Sequence, residues 1–316
     1  MTVIPIVSQS PREQAFFQNP YAFYARMHAA SPVFFWEEYK KVAFAGYAAV
    51  DSLLRDRRFG RQILHIASRE ELGWPERPDH LRDFDRMEKY SLLELEPPAH
   101  TKLRRLINKA FVARQVETLR PVIRAVCETQ LERLDGHNAE LLHSYAMQVP
   151  LITICNLLGV SLDYGQQLLD WSHAIVRMYV LDPTYEEQLA ANKAAKEFSD
   201  FLIGEIDRKR SAPADDLLSA LIAVESDGEQ LTLDELISTV VVLLNAGHEA
   251  TVHQFGNAVN TILSKNLDPK ALFANAQTTH QTVEELLRFD APLHMFNRFA
   301  APNSRAISSP FFSGIE

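Results

Sequence analysis

The feature that most limits the fold is one long apolar segment whose start and end are both marked. Thr232 and Glu235 have the spacing of a capping box, in which each side chain satisfies a free backbone N–H. Apolar residues then continue to Leu263, and Asn266 and Pro269 are stop signals. The pattern predicts a helix of about 30 residues, or about 45 Å, which is long enough to cross a whole domain.

The middle of this helix is expected to be buried on every side, because apolar residues cover its whole circumference at Val240, Val241, Val242, Leu243 and Leu244. The stretch LLNAGHEAT, residues 243–251, then breaks the pattern. Gly247 costs a helix up to about 1 kcal/mol relative to Ala, and a buried Glu249 costs more if it has no partner. Sequences break such local rules mainly at functional sites.

Small and polar residues in this stretch allow a specific interpretation. Ala246 and Gly247 remove side-chain bulk, so a flat or large ligand can lie against the backbone. Glu249 supplies an ionisable group and Thr251 a hydroxyl, which together can form a proton relay beside that ligand. The alternative is a helix-crossing contact with a partly exposed Glu.

A second motif is PPAHTKLRRLINKAF, residues 97–111. His100 and Arg104 lie one helical turn apart and can together bind a carboxylate or phosphate. The alternative is a cationic surface face that also includes Lys102 and Arg105.

A third motif is EELLRFDAP, residues 284–292, which places Glu285 and Arg288 on one helical face. The alternative interpretation of this pair is a solvated surface contact.

Other segments are predicted to be plain structure. Residues 32–46 have the pattern of a β-hairpin, and residues 121–135 that of a helix that begins with Pro121 and stops at Gly136. An apolar stripe predicts a further packed helix at Phe198, Phe201, Leu202 and Ile206.

Composition excludes several classes of protein. The net charge of -9 argues against a general nucleic-acid binder, and no apolar run reaches the roughly 18 residues of a membrane span. The N-terminus lacks the pattern of a signal peptide. Cys127 and Cys155 have no metal-binding spacing, so we expect two structural thiols and no metal site. Together these features predict a cytoplasmic protein without nucleic-acid or membrane partners.

The order and spacing of these motifs resemble the haem-thiolate monooxygenases of the cytochrome P450 family, soluble bacterial class, from about residue 15 to residue 300. Residues 97–111 resemble the family's C-helix, residues 215–251 its run into the central I-helix, and residues 284–292 its K-helix. The resemblance implies a mainly α fold, the triangular helical P450 fold with a small β region, whose C-terminal part is missing. Residues 1–300 would be an incomplete P450-like domain, and residues 301–316 an atypical tail.

The resemblance also implies roles for individual residues. Haem would be the flat ligand against Ala246 and Gly247, and Glu249 would belong to the relay that delivers protons beside it. The propionates would be held by His100, Arg104 and Arg298, and a structural ion pair would form between Glu285 and Arg288. The family usually has Thr directly after the acid, where this chain has Ala250, and Thr251 follows.

A further departure concerns the iron ligand. The family's axial Cys lies in a Phe- and Gly-rich loop well after the ExxR helix, and its thiolate promotes O–O cleavage. The segment NSRAISSPFFSGIE, residues 303–316, has no such loop, and Cys127 and Cys155 both precede the central helix. We therefore expect a truncated P450 that lacks the axial ligand, binds haem poorly and is inactive as it stands.

The intact ancestor would insert one oxygen atom from dioxygen into a hydrophobic small molecule, with electrons from a ferredoxin-type donor. Apolar residues that would face the substrate are Trp171, Ile175, Met178 and Tyr179. Two alternatives remain open: an active P450 whose sequence continues beyond Glu316, and a haem-free helical module that binds an apolar ligand or a partner protein.

Overall fold

The structure is a computed structural model that describes residues 4–111, 113–134, 136 and 139–300. The predicted tail at 301–316 lies outside the described residues. The chain divides into two compact units, of which the first comprises residues 1–76 and 297–316 and the second residues 77–296.

Helices dominate the described residues. The α-helices are α1 (Gln14–Gln18), α2 (Tyr21–Ala30), α3 (Tyr47–Arg55), α4 (Arg82–Glu88), α5 (Ala99–Ala110), α6 (Ala113–Glu132), α7 (Gln148–Leu158), α8 (Gly165–Val176), α9 (Tyr185–Ser211), α10 (Leu217–Ala223), α11 (Leu233–Ser264), α12 (Pro269–Leu272) and α13 (Ala276–Phe289). The strands are β1 (Ile6–Val7), β2 (Val33–Trp36), β3 (Lys41–Phe44), β4 (Phe59–Gly60), β5 (Glu225–Ser226), β6 (Glu229–Gln230) and β7 (Phe299–Ala300). Within this described part, none of the helices combines the length and apolar character that crossing a bilayer requires.

A small sheet and an aromatic core form the first unit. The predicted hairpin is confirmed, since β2 and β3 pair antiparallel with Val33 opposite Phe44, and β1 adds a parallel strand beside β2. One face of this sheet packs on α1 and α2 through buried rings at Phe16, Phe23, Phe34 and Trp36. In the same unit, β4 pairs with β7.

The second unit is a helical bundle around α9 and α11. The predicted apolar stripe of α9 is confirmed, because Phe198, Leu202 and Ile206 are fully buried and Phe201 packs beside them. A capping box starts α9, in which Thr184 accepts from the backbone N–H of Glu187. The hairpin of β5 and β6 precedes α11.

The central helix α11 is confirmed close to its predicted bounds. Thr232 and Glu235 form the predicted capping box, with both reciprocal hydrogen bonds present. The helix packs against α4, α7, α8, α9, α10 and α13. The predicted burial is found at Val240, Val241, Val242 and Leu244, while Leu243 is half-buried.

The predicted start of the helix at Pro121 is wrong. Helix α6 begins at Ala113, and Pro121 lies inside it. An interior Pro removes one backbone hydrogen bond and normally breaks or kinks a helix, so its local signal favours a first turn. Packing of α6 against α7 offsets that cost, which is tertiary information that the local pattern does not contain.

A buried ion pair closes the end of α7. Gly159 ends this helix in the left-handed conformation, at φ +68°. A Cβ there would overlap Asp216, which pairs with the buried Lys209 and accepts a 2.8 Å hydrogen bond from the backbone N–H of Ser219. The glycine is therefore required both by its φ and by the space that the ion pair occupies.

We expect Gly159→Ala to lower the free energy of unfolding by about 2–4 kcal/mol, because left-handed backbone strain adds to displacement of the buried ion pair. Urea denaturation followed by circular dichroism measures the change. Gly204→Ala is the matched control, since Gly204 lies inside α9 with nothing within 4 Å of its added Cβ. The free energy of unfolding of that control should rise by up to about 1 kcal/mol. Equal effects of the two substitutions on this free energy would contradict the account.

Candidate functional site on the central helix

One side of α11 is uncovered just past its buried middle. Ala246, Gly247 and Thr251 are exposed, whereas Leu244 and His248 on the neighbouring sides are buried. A Cβ added at Gly247 would meet only Ile154, at an ordinary contact distance of 3.6 Å. The packing of the described residues therefore does not require glycine here, and the small residues leave an open strip of helix backbone.

The hydroxyl of Thr251 is bound to its own helix. Its Oγ1 donates to the carbonyl oxygen of Gly247 at 3.1 Å, a common contact of Thr in helices. The structure places this hydroxyl on the open strip, and its hydrogen bond goes to the backbone instead of to Glu249.

Glu249 faces α8 and lies among three histidines. Its Oε1 is 3.2 Å from Nε2 of His173 on α8 and 4.0 Å from Nδ1 of His248, and its Oε2 is 3.4 Å from Nε2 of His253. The carboxylate is half-buried, His248 is 1% exposed, and His173 and His253 reach solvent. Sequence reasoning missed all three rings, although the one-turn spacing of Glu249 and His253 was available as a signal.

The histidines shift the protonation equilibria of the cluster. The hydrogen bond to His253, with the charges of the three rings, holds the pKa of Glu249 below its usual value in spite of burial. The same hydrogen bond raises the pKa of His253. Burial lowers the pKa of His248, and the nearby Glu249 only partly opposes this effect.

These shifts set opposite pH dependences of stability. The contribution of His253 is fully present below the ordinary His pKa and is lost as pH rises through its raised pKa. The contribution of Glu249 is present above the ordinary Glu pKa and is lost as pH falls through its lowered pKa. His248 stabilises the fold only while it is neutral, so its contribution is also lost on acidification.

Helix α5 carries two groups of cations with different surroundings. Lys102 donates to Glu235 at 3.0 Å, Arg105 pairs with Asp227 and Glu229, and Lys109 donates to the carbonyl oxygen of Glu225 at 2.6 Å. The half-buried His100 and the exposed Arg104 differ, because neither side chain has a hydrogen-bond or ion-pair partner among the described residues.

The Glu285 and Arg288 side chains form a bidentate pair on α13. Arg288 donates from Nε and Nη2 to the two carboxylate oxygens at 2.7 and 2.6 Å, and both side chains are exposed. Hydrogen bonds from Gln254 to the carbonyl of Leu286 and from Asn257 to that of Asp290 fasten α13 to α11.

Arg298, the third predicted propionate donor, belongs to the first unit. It directly precedes β7, and its Nη1 donates to the carbonyl oxygen of Asn297 at 2.9 Å.

The buried cysteine Cys155 does not have the surroundings of a thiolate. Cys155 is buried in the apolar core of the second unit, and burial raises its pKa to about 11. Cys127 is a half-buried free thiol on α6. Thiolate ligands normally sit in electropositive, accessible surroundings, which Cys155 lacks.

A long central helix with an AGHEAT strip, a cationic helix and an ExxR pair define a recognised class. The family model described as cytochrome P450 matches residues 65–266. The chain belongs to the cytochrome P450 family.

Relatives of known activity are bacterial P450 enzymes. The chain is 33% identical to the vitamin D(3) 25-hydroxylase of Pseudonocardia autotrophica, over 88% of this chain and 66% of that enzyme. It is 36% identical to the 6-deoxyerythronolide B hydroxylase of Saccharopolyspora erythraea, over 65% of this chain and 50% of that enzyme. Across such relatives the chain spans about half to 71% of their length.

Solved structures agree with this assignment. The polyketide biosynthesis P450 PksS of Bacillus subtilis superposes with a TM-score of 0.79 at 28% identity, covering 92% of this chain and 72% of that one. P450BioI, solved in complex with an acyl carrier protein, superposes with a TM-score of 0.81 at 26% identity, covering 90% of this chain and 72% of that one. The predicted mainly α, P450-like fold is confirmed.

We expect Glu249→Gln to return the pKa of His253 toward its ordinary value, because the neutral amide no longer favours the imidazolium. NMR titration of the imidazole resonances measures the shift. Glu285→Gln, which breaks an exposed pair on α13, is the matched control and should leave the His253 titration as it is. An unchanged His253 pKa in Glu249→Gln would show that the pair does not form in solution.

Proposed function

We propose that residues 1–300 form the distal part of the haem site of a P450 monooxygenase. The observation that carries the proposal is the open strip at Ala246 and Gly247, directly after the buried middle of α11. Only small side chains line it, and no contact among the described residues accounts for Gly247. A flat macrocycle lying on the backbone would explain both properties.

Unpartnered cations supply the second support. Among the described residues, the side chains of His100 and Arg104 have no hydrogen-bond or ion-pair partner, while the remaining cations of α5 named above have anionic or carbonyl partners. Carboxylates such as the haem propionates would complete their hydrogen bonding. Arg298 would be a third propionate donor, and the pair of Glu285 and Arg288 would brace the proximal side. A bound thiolate-ligated haem supplies the activation of dioxygen.

Proton delivery would rely on Glu249. Its neighbours His173 and His253 keep the carboxylate ionised and within reach of solvent, so it can accept a proton from outside and pass it on at Oε1. Ala250 has no hydroxyl, and the Thr251 proton is engaged with the Gly247 carbonyl. Water beside Thr251 would therefore link Glu249 to the reaction site.

The reaction would be insertion of one oxygen atom into a hydrophobic small molecule in the cytoplasm, with electrons from a ferredoxin-type donor. The relatives that hydroxylate vitamin D(3) and 6-deoxyerythronolide B support an apolar substrate. Of the four residues expected to face the substrate, two are packed inside the protein core. Trp171 stacks on Phe198 at 5.2 Å, and Ile175 is fully buried in the core. Met178 and Tyr179 remain candidates.

The polypeptide 1–316 would not catalyse this reaction by itself. The buried thiol of Cys155 stays protonated, and Cys127 and Cys155 both precede the central helix in the chain, so the axial thiolate would have to come from elsewhere. If the protein continues beyond Glu316 with the axial Cys, the enzyme would be active.

A haem-free helical module that binds an apolar ligand or a partner protein is the second candidate function. It is supported by exposed apolar side chains around α13 at Val283, Leu287, Phe289, Leu293 and Phe296.

Titration of purified polypeptide 1–316 with hemin, followed by haem absorbance, tests the proposal. We expect Arg104→Ala to weaken hemin binding about tenfold, because a charge-assisted hydrogen bond to a propionate is lost. Arg105→Ala is the matched control, since Arg105 is engaged with Asp227 and Glu229, and it should leave the affinity unchanged.

The reduced, carbon monoxide-bound form should lack the thiolate-type band. A thiolate-type spectrum would show that Cys127 or Cys155 coordinates iron and would overturn the proposed inactivity. A folded polypeptide that does not bind hemin would favour the haem-free module.

A further inference from the structure

Three metal-binding side chains converge between α8 and α11. His173, His248 and Glu249 each place one donor atom so that all three atoms lie within 4.8 Å of one another. The centroids of the His173 and His248 rings are 6.0 Å apart with the ring planes tilted by 54°, and Glu249 Oε1 lies 3.2 Å from His173 Nε2 and 4.0 Å from His248 Nδ1.

The inner part of this cluster lacks hydrogen-bond partners. Among the described residues, neither ring nitrogen of the buried His248 nor the Oε1 atom of Glu249 has a partner of normal geometry. The Met147 backbone lies close enough to influence the His248 ring, without completing a hydrogen bond of that geometry. Buried polar atoms are nearly always satisfied in folded proteins, so this arrangement calls for a ligand.

We propose that His173, His248 and Glu249 form a binding site for a first-row divalent transition metal, with Zn²⁺ as the natural ion. Two imidazole nitrogens and one carboxylate oxygen match a three-ligand zinc set with an open fourth position. Ca²⁺ and Mg²⁺ are disfavoured because they require mainly oxygen ligands. The proposal is independent of haem binding and of the function proposed above.

The distances suit such an ion after a small adjustment. Zinc bonds of about 2.0–2.1 Å in a tetrahedral site place donor atoms about 3.3 Å apart, so the widest donor separation, which lies within 4.8 Å, needs to shorten by up to about 1.5 Å. His173 has the freedom to make this movement, because its side chain is 45% exposed. Its exposure also provides a path for the ion to enter from solvent.

Neighbouring groups already contact two of the three proposed metal ligands, Glu249 and His248. His253 contacts Oε2 of Glu249 at 3.4 Å and leaves Oε1 toward the two other rings. The Met147 backbone lies beside the His248 ring. Contacts of this kind orient the ligands of metal sites and strengthen binding.

An ion at this position would join α8 to α11. It would also occupy Oε1 of Glu249, the atom assigned to proton transfer above. Zinc would therefore stiffen the contact between two helices and oppose any relay that depends on this carboxylate.

Titration of tag-free, chelator-treated polypeptide 1–316 with Zn²⁺ in a calorimeter, and with Co²⁺ followed by visible absorption, tests the site. We expect saturable Zn²⁺ binding and a Co²⁺ spectrum typical of four-coordinate geometry. Glu249→Gln and His173→Ala should each weaken Zn²⁺ binding by at least about 100-fold, and His253→Ala by about tenfold. His280→Ala, on the exposed surface of α13, is the control and should bind Zn²⁺ as the unaltered chain does.

Circular dichroism of each variant establishes that it is folded. Glu249→Gln is preferred to a substitution of the buried His248, because Gln keeps the size of the side chain and His248→Ala would leave a cavity. The proposal is overturned if Zn²⁺ does not bind, or if a folded Glu249→Gln variant binds it as tightly as the unaltered chain. It is equally overturned if His280→Ala weakens binding as much as His173→Ala does, since binding would then be a property of scattered surface histidines.

Discussion

Enclosure of α11 by six neighbouring helices is the constraint on which the second unit depends. A helix whose middle is apolar all round gains stability only if other elements cover it, and α4, α7, α8, α9, α10 and α13 pack against α11. Polar side chains fix the ends of this arrangement. The capping box at Thr232 sets the start of the helix, and hydrogen bonds from Gln254 and Asn257 attach α13 near its end.

The open strip at Ala246 and Gly247 exists because this enclosure ends past the buried middle of α11. Ala246 and Gly247 face outward directly after a fully buried segment, so helix backbone is accessible without a hydrophobic side chain above it. The opposite side of the same turn is closed by His248 and by the contact of Glu249 with α8. One helical turn thus presents open backbone on one side and a titratable cluster on the other.

The proposed relay and the proposed metal site share Glu249, and the two roles have different chemical requirements. Proton transfer requires a carboxylate that exchanges protons with solvent, for which contacts with the half-exposed His173 and the exposed His253 suffice. Metal binding requires lone pairs that are not occupied by hydrogen bonds, and the inner side of the cluster provides them at Oε1 and at the ring of His248. Occupancy by zinc would convert a proton-handling residue into a structural ligand.

The sequence by itself determined the helical class, the bounds of α11, the hairpin of the first unit and the packed stripe of α9. Each of these follows from a local period or a capping pattern, which acts within a few residues of chain. The sequence also identified Ala246, Gly247 and Glu249 as unusual, because small and acidic residues break the pattern of a buried helix. Only the tertiary structure decided that α6 runs through Pro121, that Trp171 and Ile175 belong to the core, and which cations of α5 have partners among the described residues. It alone brought His173 to Glu249, because contacts between distant segments depend on how helices pack, and no local pattern encodes that packing.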